Sequence, residues 1–560
     1  MTYVIENKIL SKAQLGFVPG NRTSDALLIL YNLIEYYCHK NKKYLYGCFV
    51  DFSKAFDTIP REKLFQKILD YNINGKFYDC LLMLYNEDKS CVKLGSKITE
   101  TFYSNQGVKQ GCILSPLLFN IYLSDLQNII EASENKPALI SKNEPLGCLI
   151  WADDVFIVSQ TEEGLNRMLK GLKYYATENG LTINMKKTKV MIFNKTGRHI
   201  RKNFYLGDLK VETTREYKYL GFKITPYGGI TPGLHDLKDR ALKAYYKMKT
   251  KMGVSFRKHP LVTIQLFQSL IIPILLYASD FWGILKVPKN NPIENLHMKF
   301  CKDLLGVQKQ TTNIGVFLEL GRVPLSIYAI KHALKNWCRL TNDPKCNELV
   351  KTSYEDSMAD NHSWQNRVKC TLSQIGLMDK FLNKDGRTYT IAFQRLCDIF
   401  HQNSFSEIQK VTNKLRTYSI IKNQIGYENY LSQIQNTQNR ISLTKFRLSN
   451  HCLLIETGRH QHLNVTLRFC PFCPRSIEDE FHSLLECQVY KTLRNDLFIE
   501  AKNKVENFLQ NGNREKFTTL LTNTTVMPYT ASYLHRMFNC RDFLLKNTKT
   551  PINYKYLYQL

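Results

Sequence analysis

CLIWADDVFIVSQ, residues 148–160, sets two aspartates side by side inside an apolar, β-prone run. Successive side chains of a strand point to opposite faces, so Asp153 and Asp154 cannot share a flat strand without one being buried. The pattern predicts a hairpin, with Cys148–Ala152 leading up, a tight turn at the aspartates and Val155–Ser159 leading down. Tight hairpins favour Asn-Gly or Asp-Gly, whose backbones enter positive φ cheaply. Asp-Asp forgoes that advantage and adds like-charge repulsion. A bound cation would account for the exception, and that directs attention to a third carboxylate.

Asp51 supplies one. It closes a predicted strand, YLYGCFVDF (44–52), where apolar sequence gives way to SKAFD. If folding gathers Asp51, Asp153 and Asp154, the cluster needs a compensating charge. Oxygen-only ligands suit Mg²⁺, or Mn²⁺ in its place. Two such ions about 3.5–4 Å apart would stabilise the attacking and leaving oxygens of an in-line displacement. Taken singly, each element has a plainer reading: Asp51 as a turn cap, the aspartate pair as a solvated loop.

Composition narrows the partners. Of 560 residues, 77 are Lys or Arg and 49 Asp or Glu, a net charge of +28 spread along the chain. Distributed basicity of this size points to a polyanion, most often nucleic acid. The start, MTYVIENKILSKAQ, lacks the basic and apolar regions of a signal peptide. The uncharged run 261–279 is long enough to span a membrane, but Thr263, Gln265, Gln268 and a central Pro273 predict buried helix broken near the proline. Sixteen scattered cysteines read as reduced thiols of an intracellular protein.

Helical patterns over 20–45, 61–71, 80–85 and 161–180 alternate with strand patterns at 44–52, 148–159, 182–193 and 215–224 and with a β-hairpin-like stretch at 90–104. Ser115 and Pro116 read as N-cap and first residue of another helix, and Asp57 as a cap near Pro60. An α+β sheet domain to about residue 226 follows, then mainly helical sequence.

VDFSKAFD, GVKQGCILSPLLFN, WADD, LTINMKKTKVMIF and YKYLGF, in that order, resemble the palm motifs of reverse transcriptases from non-LTR (LINE-like) retrotransposons. The resemblance implies a right-hand polymerase with remnant fingers (1–45), an RRM-like antiparallel palm (46–226), a helical thumb (227–340), a helical connector (341–445), a zinc-knuckle module (446–495) and a basic tail (496–560). It implies Asp51, Asp153 and Asp154 as catalytic ligands of two Mg²⁺ ions, with the Phe52 carbonyl completing the shell. Phe56 matches the gate that excludes a ribose 2′-OH, Gln110 and Gly111 the segment touching nucleotide and template, and Lys187 a basic residue near pyrophosphate, with Lys186 and Lys189 as rivals. Tyr219, Leu220 and Gly221 match the primer grip. Template RNA, primer DNA and dNTPs are the implied partners, without a membrane, and action on chromosomal DNA implies the nucleus.

RFCPFCPRSIEDEFHSLLECQVY (468–490) carries Cys-x2-Cys-x8-His-x4-Cys through Cys470, Cys473, His482 and Cys487, a donor set for one structural Zn²⁺. The family places a similar knuckle after its polymerase, where it is expected to contact nucleic acid. Arg459 and Arg468, with Phe469, Phe472 and Tyr490 nearby, fit phosphate contact and stacking, and fit packing almost as well.

The sequence also departs from the family. It starts near QLGFVPGNRTSDA (14–26), which resembles a late fingers motif, so an N-terminally truncated copy is expected. Arg22 is then the candidate survivor of the basic residues that clamp the triphosphate, and no endonuclease signature is present. Three readings follow: an RNA-directed DNA polymerase; a catalytically inactive relic that binds nucleic acid; and another palm polymerase of intron or telomerase type, which the zinc module disfavours.

Overall fold

A computed structural model describes residues 2–86, 88–132, 136–140, 144–356, 363–410 and 414–547. The end of the expected tail, 548–560, lies outside the described residues. The chain divides into two compact units, each built from separate segments. The first comprises 1–236, 278–288 and 328–393, the second 237–277, 289–327 and 394–560. The segments expected as thumb and connector are therefore each shared between the units.

The first unit is built on a four-stranded antiparallel sheet: β1 (Leu45–Asp51), β2 (Cys148–Trp151), β3 (Asp154–Ser159) and β4 (Lys189–Phe193), in the order β4-β1-β3-β2. Every residue of β1 is buried, as expected for a central strand covered on both faces. Gly47 is required there, because a Cβ would lie 2.7 Å from the Phe156 ring. The helix Glu162–Glu178 packs Leu165, Met168, Leu169 and Leu172 into the core shared with the sheet. Thr161 caps it, its hydroxyl accepting the Gly164 N–H at 3.0 Å. The sequence predicted this helix correctly.

Other expectations need correction. The strand expected over 182–193 begins only at Lys189, because Asn184 and Thr188 turn their side chains to the β1 terminus. The strand expected over 215–224 is a hairpin, β5 (Tyr217–Tyr219) and β6 (Phe222–Ile224), turning at Leu220 (φ +44°) and Gly221 (φ +79°). Ser115 is the first residue of its helix and hydrogen-bonds the Lys109 carbonyl, so it is not the cap. Asp57 lies inside the short helix Ala55–Thr58 and caps nothing at Pro60.

The second unit is helical. Glu319, fully buried, accepts hydrogen bonds from Arg447 (2.8 Å), Tyr418 (2.7 Å) and Tyr430 (2.5 Å). The last long helix, Met527–Asn547, buries Met527, Tyr533, Leu534 and Met537, so the helical part of the expected basic tail is packed structure up to 547. The run 261–279 holds the helix Pro260–Leu270 and a short turn of helix, Ile272–Leu275, bearing the proline. No helix among the described residues is long and apolar enough to cross a membrane.

Candidate active site

The register of β1 against β3 sets Asp51 directly opposite Asp154. Facing residues of an antiparallel pair have Cβ atoms about 4.5–5.5 Å apart, and like charges there are destabilising. Asp153 occupies the two-residue turn between β2 and β3. The turn thus falls at Ala152–Asp153, one residue before the predicted position, and Asp154 belongs to the strand. Ala152 is the residue that takes positive φ, +55°, at a cost on the order of 1 kcal/mol.

Neighbouring backbone holds this strained turn. Gly16 lies so close that a Cβ would stand 2.6 Å from the Ala152 nitrogen. Leu15 N–H donates to the Ile150 carbonyl at 2.8 Å. The buried Asn120 accepts from Gln14 at 2.9 Å and donates to the Gly16 carbonyl at 2.8 Å. Gln14, Gly16 and Asn120 were not predicted as site residues. Only the QLGF motif hinted at them, since the pairing is long-range.

Asp51 is buried and ordered by two partners. Asn184 Nδ2 donates to Oδ2 at 3.1 Å and Lys187 Nζ meets Oδ1 at 3.0 Å. Lys187 is the lysine that reaches the carboxylates, while Lys189 pairs with Glu212 at 2.5 Å. Asn184 carries no sequence signal of this role. Burial first, then the charges of Asp153 and Asp51, push Asp154 up to about 6; Lys187 opposes the shift. Burial and Asp51 also raise Asp153. The β5–β6 hairpin lines the same face, with Tyr217 stacked on Phe49 at 4.3 Å. Burial and then the Asp154 charge push Tyr217 up to about 12.

The raised Asp154 pKa has a sign. Between the usual carboxylate range and pH 6 the native chain binds more protons than the unfolded one, so stability falls as pH rises through that window. Asp154→Asn removes the penalty. After screening it should stabilise the ion-free protein by about 1 kcal/mol at pH 7 and flatten its stability between pH 4 and 6. A melting profile unchanged at both pH values would contradict this.

The other predicted residues divide. Phe56 stacks on Phe119 at 4.6 Å, and its carbonyl accepts Val108 N–H at 2.8 Å. Gln110 Nε2 donates to Asp57 at 2.8 Å, and Gly111 follows at φ +84° with open space around it. Phe52 is buried in an antiparallel bridge to Ile183. Tyr219 is buried, its ring packed against Phe49 and Phe156. Arg22 is engaged elsewhere, 3.6 Å from Asp280.

The reverse transcriptase (RNA-dependent DNA polymerase) family matches residues 1–224, which hold all of these elements. Residues 1–224 are a reverse transcriptase domain. Curated relatives of this reverse transcriptase domain are proteins of non-LTR elements. The Pol polyprotein of the type-2 retrotransposable element R2DM of Drosophila melanogaster is 26% identical over 39% of this chain and 21% of its own length. That of a type-1 element R2 of Nasonia vitripennis is 24% identical over 44% and 25%. The RNA-directed DNA polymerase of the mobile element jockey of Drosophila funebris is 23% identical over 53% and 32%. The chain therefore spans between a fifth and a third of the length of these relatives. Apo telomerase of Candida tropicalis is similar at a TM-score of 0.33 and 11% identity, over 73% of this chain and 58% of that one.

The second unit holds the cysteine cluster. The ligand atoms of Cys470, Cys473, His482 and Cys487 all lie within 4.8 Å of one another. Cys487 Sγ is 3.9 Å from Cys470 Sγ and 3.8 Å from Cys473 Sγ, and both ring nitrogens of His482 are buried without a hydrogen bond, Nδ1 lying 3.6 Å from the Glu486 carboxylate. Hydrogen bonding from Cys470 lowers the pKa of the Cys487 thiol, favouring a thiolate there. Three thiol donors and an imidazole fit tetrahedral Zn²⁺. Arg468, expected at phosphate, is buried with its guanidinium on the Ile455 (2.6 Å) and Leu463 carbonyls, and Tyr490 is buried too. Packing is what these two residues do.

Proposed function

We propose that this chain is the RNA-directed DNA polymerase of a non-LTR retroelement, extending a primer 3′-OH with dNTPs on an RNA template. One observation carries the reading: Asp51 faces Asp154 across β1 and β3, with Asp153 at the adjoining turn, inside a reverse transcriptase domain. The donor set is oxygen-only and its anions repel one another, which fits two Mg²⁺ ions. When bound by Asp51, Asp153 and Asp154, with the Phe52 carbonyl, these ions supply Lewis-acid stabilisation of the attacking and leaving oxygens.

The chain's own side chains do the remainder. Asn184 and Lys187 hold the Asp51 carboxylate in one orientation. Lys187, largely exposed and with its proton held more tightly by Asp51, is available to phosphate charge. The Phe56 ring, braced by Phe119, bars a 2′-OH. Gln110 and the open Gly111 backbone meet nucleotide and template, and the Leu220–Gly221 turn supports the primer end. Arg22 would meet triphosphate only by giving up Asp280. Primer on chromosomal DNA assigns the reaction to the nucleus. One Zn²⁺ held by Cys470, Cys473, His482 and Cys487 is structural.

Purified chain given poly(rA)/oligo(dT), dTTP and Mg²⁺ or Mn²⁺ should extend the primer. No extension, with RNA binding retained, would establish the inactive relic instead. Phe56→Val should raise rNTP incorporation relative to dNTP by at least about tenfold. An unchanged ratio would remove Phe56 as the gate.

A further inference from the structure

Residues 89–103 form a two-stranded ribbon that no third strand joins among the described residues. Lys89–Ser90 pairs with Phe102–Tyr103, and Lys93–Leu94 with Lys97–Ile98 around a turn at Gly95, φ +61°. Thr99 N–H donates to the Val92 carbonyl at 3.0 Å, and Val92 N–H to Thr99 Oγ1 at 2.9 Å. Every residue from 91 to 103 is exposed, Tyr103 by 62%. A bare two-stranded ribbon is marginal in water, so a free-standing one implies a partner.

Its root, by contrast, is firmly built. Arg61 donates to the Ser104 (2.5 Å), Tyr85 (2.9 Å) and Gly107 (3.0 Å) carbonyls and pairs with Asp88 at 2.7 Å. Asp88 also meets Lys109, the residue before Gln110, at 3.1 Å. One partly buried guanidinium therefore ties both ends of the ribbon to the stretch leading into Gln110 and Gly111.

We propose that the ribbon is a binding arm for an unpaired nucleic-acid strand, positioned by Arg61 beside Gln110. Only the naming of that strand as template rests on the polymerase reading. The charge is complementary: Lys89, Lys93 and Lys97 stand against Glu100 alone. Lysines suit phosphates, and the exposed rings of Phe102 and Tyr103, the latter with the Lys89 ammonium over one face at 5.4 Å, offer stacking surface to bases, which only an unpaired strand can present. Lysines on three of the four paired segments also deter strand addition by a second copy.

The test uses the full chain carrying Asp153→Asn, so that nothing turns over. Fluorescence anisotropy would follow an unstructured 20-nucleotide RNA and, separately, a blunt RNA–DNA duplex. Lys93→Glu with Lys97→Glu should weaken single-strand binding at least tenfold and reduce its salt slope by about 1.4. Phe102→Ala with Tyr103→Ala should weaken it about tenfold at unchanged slope. Duplex binding should move less than twofold in both, and melting temperatures should match the parent. Unchanged single-strand binding, or equal loss on the duplex, would overturn the proposal. So would a parent that self-associates in light scattering only while the ribbon is intact. A chain without primer extension whose ribbon variants still lose RNA would sink the polymerase reading and leave the arm standing.

Discussion

Asp153→Asn is expected to lower primer extension on the order of 10³-fold or more while leaving the fold and RNA binding intact. The amide keeps the size of the carboxylate at the β2–β3 turn and removes one of the three carboxylates proposed to hold the metal ions. Losses of about 10²–10³ follow removal of a single preorganised electrostatic group, and a ligand to both the reaction's charge and its geometry should cost no less. Unfolding cannot mimic the result. Burial and Asp51 already disfavour the charge on Asp153, so the amide should be at least as stable as the acid. Extension within tenfold of the parent would mean that Asp153 takes no part in the chemistry.

Stripping zinc, or replacing Cys473 by serine, should destabilise the second unit by on the order of 5 kcal/mol, because the binding energy of a structural zinc is folding energy. The loop around the cluster is fastened to the helices that follow it. Arg494 donates to the Cys487 carbonyl at 2.8 Å from the helix Lys491–Lys504, and Tyr533 to the Ser483 carbonyl at 2.7 Å from Met527–Asn547. The buried Glu478 pairs with Arg541 at 2.6 Å, and Glu480 with Arg416 at 2.6 Å and His451 at 2.9 Å. Those pairs are aligned by the loop, so its collapse would strand buried charges. Elemental analysis should find about one zinc per chain, and denaturant unfolding should shift strongly on chelation. A metal-free protein of unaltered stability would contradict the assignment.

Local chemistry was the legible part of this chain. The amphipathic pattern of 161–180 announced a helix, β1 announced itself by its apolar run, and the two aspartates announced a turn. The turn was misplaced by one residue because nothing in WADD says that Ala152 takes positive φ; the contacts of Gly16 impose it. Residues 182–188 read as strand together with the apolar run that follows to Phe193, yet Asn184 and Thr188 hydrogen-bond at Asp51, a pairing across more than 130 residues. Arg468 and Tyr490 illustrate the limit of composition: a basic and an aromatic residue beside a zinc loop fit nucleic acid and fit a core equally until burial is known. The discontinuous units escape a linear reading altogether, since contacts such as Asp25 with Arg339 and Trp364 with the Phe281 carbonyl join distant segments.

Counting divalent cations in the assembled site addresses the account most directly. With template RNA, a chain-terminated primer and the next dNTP present, Mn²⁺ can be titrated and followed by electron paramagnetic resonance. The parent should hold two ions per chain that Asp51→Asn does not, because the amide breaks the ligand set from the strand opposite Asp154. Equal occupancy and affinity in the two proteins would show that Asp51 does not share a cation with Asp153 and Asp154, and the polymerase reading would fall with it.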